Sequence, residues 1–225
     1  MPAALSSLTK ISGVLFDLDG TLIDSAPAIA QALNQVIAAR GGIAVTEQKV
    51  RSLVSRGAAE LVAAAFGDHA TTPERDLGDF RTVYAVLPAD PADLYPGARA
   101  MLEQLYASGL ALGICTNKPQ GLTENLLSDL GLAPLFAAVV GGDATARAKP
   151  YPDPLHLALE KMGVPAAMAV YVGDSEVDGE AAARAGLPFI LATYGYATVP
   201  LEGIPHQVRL DGLAGLPALL RTLKG

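Results

Sequence analysis

Two aspartates, Asp17 and Asp19, follow an apolar run at 14–16 and precede Gly20-Thr21. On an extended backbone residues i and i+2 point to the same side, so the two carboxylates are expected to stand together where a strand meets its loop. Like charges this close need a cation, a shared proton, or both. In open α/β sheets ligands lie outside the carboxyl ends of the strands. The pair therefore suits a divalent metal and a carboxylate that does chemistry, with a solvated acidic loop as the alternative.

Three more apolar runs end in polar residues. Residues 110–115 lead into Thr116-Asn117-Lys118-Pro119. Thr116 and Asn117 offer a hydroxyl, an amide and main-chain N–H groups ahead of a helix, which suits a phosphate and equally a helix cap. Residues 137–140 lead to Gly141-Gly142-Asp143 and on to Lys149-Pro150. The prolines at 150, 152 and 154 stiffen the segment behind Lys149, whose ammonium can bind phosphoryl oxygens and offset carboxylate repulsion. The run at 169–172 ends in Gly173-Asp174-Ser175, with Asp178 four residues beyond Asp174. Asp174 is expected to reach a metal shared with Asp17. Asp178 suits either a supporting hydrogen bond behind the metal or complementarity to a helix dipole in a first turn.

The elements that must position these residues alternate. After Pro96, strand-like runs at 110–115, 137–140, 169–172 and 189–192 are separated by helix-like segments at 98–108, 120–130, 155–162 and 177–185. Near-continuous apolar strands with helices between them predict a parallel sheet covered on both faces, and 12–16 joins it as a further strand. The stretch 24–90 reads differently: 25–40, 47–54, 58–66 and 74–86 are helix-like with no strand between them. The predicted fold is α/β, a Rossmann-like parallel sheet core with an inserted all-helical cap. The core is expected over 1–23 and 91–225 and the cap over 24–90.

Composition narrows the class. The 225 residues are 51% hydrophobic and 17% charged, with a formal net charge of −7. That is ample for a core and argues against a basic nucleic-acid groove. The single cysteine, Cys115, lies in an apolar run and reads as a buried thiol. Residues 1–10 lack the pattern of a signal peptide, and no run reaches the roughly 18 apolar residues of a membrane span. The expectation is a cytoplasmic protein with neither a nucleic-acid nor a membrane partner.

With Asp17-Leu18-Asp19-Gly20-Thr21, Thr116-Asn117, Lys149-Pro150 and Gly173-Asp174-Ser175 through Asp178 in this order, the whole chain resembles the haloacid dehalogenase superfamily of phosphotransferases. The stretches at 17–25, 116–119, 141–143, 149–155 and 194–196 look most like those of phosphoglycolate phosphatases. The resemblance implies that Asp17 is the nucleophile and forms an aspartyl-phosphate. Asp19 then protonates the leaving alkoxide and activates the hydrolytic water. It implies Mg²⁺ held by the Asp17 side chain, the Asp19 carbonyl and Asp174. Thr116, Asn117 and Lys149 bind phosphate, supported by Ser175 and Asp178. Dehalogenases and phosphonate-cleaving members lack the second aspartate, so Asp19 favours phosphate-ester cleavage, and Lys49 is read as a surface residue. The implied substrate is a small phosphate ester, foremost 2-phosphoglycolate. A sugar phosphatase or a phosphosugar mutase is the alternative within the enzyme class. In the insertion, Arg56 suits a substrate carboxylate or bare solvent. A receiver-type signalling module shares Asp, Thr and Lys on a parallel sheet but is shorter and lacks a helical insert.

Overall fold

The structure is a computed structural model that describes residues 11–222; the segment 1–10, read above for a signal, lies outside the described residues. Six strands form one parallel sheet: β1 (Gly13–Phe16), β2 (Ala111–Cys115), β3 (Ala138–Val140), β4 (Ala169–Gly173), β5 (Phe189–Ala192) and β6 (Val208–Leu210), in spatial order β3-β2-β1-β4-β5-β6. Phe16 lies in register with Ile114 on one side and Val172 on the other. The chain builds outward from β1 to β3 and then crosses to the other flank at β4. The direction of winding thus reverses beside β1, the place where open α/β sheets bind ligands.

Alternate strand residues face opposite layers. Val14, Phe16, Leu112, Ile114, Val170, Val172 and Ile190 enter one buried cluster, with α5 (Ala98–Ala107), α6 (Gln120–Asp129) and α9 (Leu216–Thr222) supplying Met101, Leu102, Leu105, Leu127, Leu216 and Leu220. Leu15, Cys115, Tyr171, Phe189 and Leu191 face the other layer, covered by α7 (Asp153–Met162) and α8 (Glu176–Ala185). The α/β core expected from the apolar runs is therefore present. Two elements were not anticipated. β6 is three residues long with an exposed Arg209 in its middle, and α9 follows a short 3₁₀ turn at Leu213–Gly215.

Between β1 and α5 lie α1 (Ala26–Ala39), α2 (Glu47–Arg51), α3 (Ala58–Phe66) and α4 (Pro73–Tyr84). They pack around a cluster of their own, built from residues such as Ile29, Leu33, Leu61, Phe66 and Phe80. Among its buried members only Tyr196 comes from outside the segment 24–90. Thr46 and Thr72 cap α2 and α4 through their side chains, and Arg40 ties α1 to α4 through Asp76 and Asp79, each at 2.7 Å. The helix expected over 47–54 ends early: α2 stops at Arg51, and a 3₁₀ turn follows at Val54–Arg56. Gly57, at φ +92°, ends that turn. Among the described residues no helix is long and apolar enough to cross a membrane.

Candidate active site

Each predicted site residue of the core leaves the C-terminal edge of the sheet. Asp17 follows β1 and is fixed by its N–H bond to the Val172 carbonyl at 2.8 Å. Thr116 follows β2, bonded to the Val140 carbonyl at 3.0 Å. Asp174 follows β4. These three, with Asp19, Asn117, Lys149 and Ser175, line one pocket between the sheet edge and the inserted helices. Its floor is polar. Its roof, from α1, α3, α4 and the turn between α2 and α3, includes Ile29, Val54, Leu61, Phe80, Arg81 and Tyr84.

The loop after β1 is tight: the N–H groups of Thr21, Leu22 and Ile23 all converge on the Leu18 carbonyl. Gly20 makes this possible. Its φ is +88°, and a Cβ there would collide with the Asp174 carboxylate, as would one at Gly195. Asp174 is thus gripped on both sides, accepting from Thr21 Oγ1 at 2.9 Å and from the Tyr196 N–H at 2.6 Å.

Asp17, Asp174 and Asp178 are buried and offer oxygens within 4.8 Å of one another. Lys149 is the cation against them, with Nζ 2.7 Å from Asp178 Oδ1 and 2.9 Å from Asp17 Oδ1. The second contact is a charge contact whose angle lies outside hydrogen-bond geometry, so Asp17 Oδ1 stays without a hydrogen-bond partner. Burial, then the charge of Asp178, pushes Asp17 up to about 7 despite Lys149. Burial, then the charges of Asp178 and Asp17, raises Asp174 well above the carboxylate range. Asp178 goes the other way: burial opposes its ionisation, but Lys149, Ser175 and Tyr171 outweigh it. Both roles weighed for Asp178 occur together. It closes a capping box with Ser175 at the start of α8 and holds Lys149.

Asn117 lines the pocket, but its side chain is occupied elsewhere. Its amide is committed to the main chain of Lys149, donating to the carbonyl and accepting from the N–H, both at 3.0 Å. That pair anchors the lysine segment. The main chain of Arg56 is in the 3₁₀ turn between α2 and α3, and its neighbours Ser55 and Gly57 line the pocket; the Arg56 side chain lies outside the described residues. Ser55 Oγ is buried without a hydrogen-bond partner.

Four residues of the site were not singled out from the sequence. Tyr171 hides in an apolar strand, yet its hydroxyl accepts from Lys149 at 2.9 Å and donates to Asp178 at 2.7 Å. Lys118 meets both oxygens of Asp19 and the Tyr84 hydroxyl. Arg81 lines the roof with no ion-pair partner among the described residues. The signal for Lys118 was its place directly after Thr116-Asn117. Cys115, by contrast, is the buried thiol expected, pushed up to about 12 chiefly by burial.

Removing Lys149 leaves buried carboxylates uncompensated. Lys149→Met is expected to cost about 3–5 kcal/mol of stability, read as a lower urea midpoint. An unchanged midpoint would mean that something other than Lys149 relieves the repulsion.

A site of this kind, carboxylates and a lysine at the switch point beneath a helical insertion, has close counterparts. The profile of the haloacid dehalogenase-like hydrolases matches residues 14–192, and the chain belongs to that family. It is 41% identical over 212 residues to a phosphoglycolate phosphatase of Rhodospirillum rubrum, covering 90% of this chain and 88% of that one. It is 38% identical over 216 residues to a phosphoglycolate phosphatase of Cereibacter sphaeroides, covering 94% and 98%. Among solved structures, a predicted phosphoglycolate phosphatase from Haemophilus somnus superimposes with a TM-score of 0.81 at 28% identity, over 94% of this chain and 99% of that one. CbbY from Rhodobacter sphaeroides, in complex with phosphate, gives 0.75 at 27% identity over 92% and 96%.

Proposed function

We propose that this chain is a Mg²⁺-dependent phosphomonoesterase that works through an aspartyl-phosphate and hydrolyses 2-phosphoglycolate to glycolate and phosphate. The observation that carries the reading is the convergence of Asp17, Thr116, Lys149 and Asp174 from three strand ends and one loop on a single pocket. The named relatives support the substrate.

Asp17 is the attacking group, and covalent catalysis splits one hard displacement into two easier ones. Asp19 gives a proton to the leaving alkoxide and then takes one from the water that releases phosphate, a contribution typically worth about 10²–10⁴-fold. Thr116, the Asn117 N–H and Lys149 hold the transferring phosphoryl group. Positioning and charge do most of the work there, because charge spreads over the phosphoryl oxygens.

The donor set suits a hard divalent cation: all oxygen, with Asp17 and Asp174 driven upward by burial and by the nearby charge of Asp178, and one lysine within a cluster of three carboxylates. The Asp17 side chain, the Asp19 carbonyl and Asp174 would hold Mg²⁺. Asp178 is taken up by Lys149, Tyr171 and Ser175 and stands behind it. When bound, Mg²⁺ neutralises charge on the phosphoryl oxygens. Residues 24–90 act as the cap that covers the substrate.

A second reading, a sugar phosphatase, is suggested by the likeness to CbbY, a variant of which is known in complex with xylulose-1,5-bisphosphate. The roof weighs against it. Ile29, Val54, Leu61 and Phe80 leave few groups to satisfy a row of hydroxyls, and unpaired polar groups are penalised heavily on binding. A compact acid fits better, its carboxylate met by Arg56 or Arg81. Phosphate release from 2-phosphoglycolate, sugar phosphates and glycerol phosphate tests this directly. The highest kcat/KM is expected for 2-phosphoglycolate, and a preference for sugar phosphates would reject the assignment. Arg56→Ala and Arg81→Ala locate the carboxylate contact. The variant that loses it should fall about ten- to a hundredfold on 2-phosphoglycolate relative to an ester without a carboxylate. Equal small effects from both would mean neither guanidinium reads the substrate.

A further inference from the structure

Asp19 must give a proton at one step and take one at the next, and both transfers need an oriented carboxylate. Among the described residues its side chain has one hydrogen-bonding partner, Lys118, whose Nζ lies 3.0 and 3.1 Å from its two oxygens. Lys118 is almost fully buried. Its ammonium also donates to the Tyr84 hydroxyl at 2.9 Å and sits 4.6 Å from the centre of that ring. Tyr84 is the last residue of α4, where the inserted helices return toward the sheet, and it stacks on Phe80 of the roof at 5.6 Å. A single buried cation thus joins a carboxylate of the sheet edge to a hydroxyl of the insertion.

We propose that Lys118 and Tyr84 form a positioning pair that sets the Asp19 carboxylate for proton transfer and makes that setting depend on the docked insertion. This rests on the aspartyl-phosphate reading above. In the first step a proton passes from Asp19 to the ester oxygen as that oxygen leaves phosphorus and Asp17 bonds to it. In the second, Asp19 takes a proton from water as the water oxygen bonds to phosphorus and the bond to Asp17 breaks. Lys118 aims Asp19 for both. Tyr84 holds Lys118 only while α4 sits over the pocket, so a raised insertion leaves Asp19 free to swing.

The test compares Lys118→Met, Tyr84→Phe and the double variant with Mg²⁺, using 2-phosphoglycolate and p-nitrophenyl phosphate under rapid quench. Nitrophenolate leaves without needing a proton, so the burst reports phosphorylation of Asp17, whereas turnover also needs Asp19 to activate water. Lys118→Met is expected to lose about 10- to 100-fold in kcat on both substrates, with the nitrophenolate burst retained and phosphoenzyme accumulating. Tyr84→Phe should lose about 3- to 10-fold, and little more when added to Lys118→Met, because the two act as one unit. Burst and turnover falling together, strictly additive losses, or wild-type turnover would each overturn the proposal. If Lys118→Met does not fold, Tyr84→Phe carries the same test, since it removes one hydroxyl and keeps the ring. Asp17→Asn serves as the control: turnover by that variant would reject the underlying reading, whereas an inactive Asp17→Asn beside unaffected Lys118 and Tyr84 variants rejects the pair alone.

Discussion

Asp17→Asn is expected to lose turnover by roughly 10⁴-fold or more while remaining folded. The amide matches the carboxylate in shape but cannot attack phosphorus. Stability should not suffer, because Asp17 is one of three clustered buried carboxylates, two of which share one lysine, and its neutralisation relieves repulsion. The metal-free variant should therefore unfold at a temperature equal to or above that of the parent. Near-parental phosphate release from a well-folded variant would remove Asp17 from the role of nucleophile.

The second large effect is metal removal. Chelation is expected to abolish turnover and Mg²⁺ to restore it, with Ca²⁺ a poor substitute because its larger, looser coordination spoils in-line geometry. Full activity after exhaustive chelation would contradict the metal assignment. The same carboxylates give a signature apart from activity. Asp17 titrates near 7 in the folded chain and near 3.8 as an ordinary carboxylate. Between those values the native state holds a proton that the unfolded chain has released. The Asp17 contribution to stability therefore declines as pH rises through that window. A cation binds the ionised form, so the rise in melting temperature on adding Mg²⁺ should grow from about pH 5 to about pH 7. A rise independent of pH would mean the ion binds elsewhere.

Much of this site was legible because it is written where the strands stop. Asp17, Thr116 and Asp174 each follow an apolar run, and the runs were readable because both faces of the sheet are covered, which removes polar residues from the strand interiors. The strand at the far edge escaped notice for the converse reason: Val208–Leu210 is short and carries an exposed Arg209. The helix expected over 47–54 stops at Arg51, and Val54 belongs to a 3₁₀ turn instead. Lys118 and Tyr171 were missed because their roles rest on partners far away in sequence. Lys118 reaches Asp19 and Tyr84, and Tyr171 reaches Lys149. The place of Lys118 directly after Thr116-Asn117 hinted at the site but not at its partners, and a tyrosine in an apolar strand announces nothing until the sheet brings its partners together. Asn117 shows the reverse. Its position was conspicuous, but its side chain proved to be tied to the main chain of Lys149.

The central claim is that a phosphoryl group passes through Asp17. Acid quench during turnover of 2-phosphoglycolate with Mg²⁺, followed by borohydride reduction and peptide mapping, tests it most directly. An acyl phosphate at Asp17 is reduced to homoserine at position 17, and that conversion should appear only with substrate and metal present and be absent from Asp17→Asn. Rapid turnover with an unmodified Asp17, or with the phosphoryl group on another residue, would contradict the account.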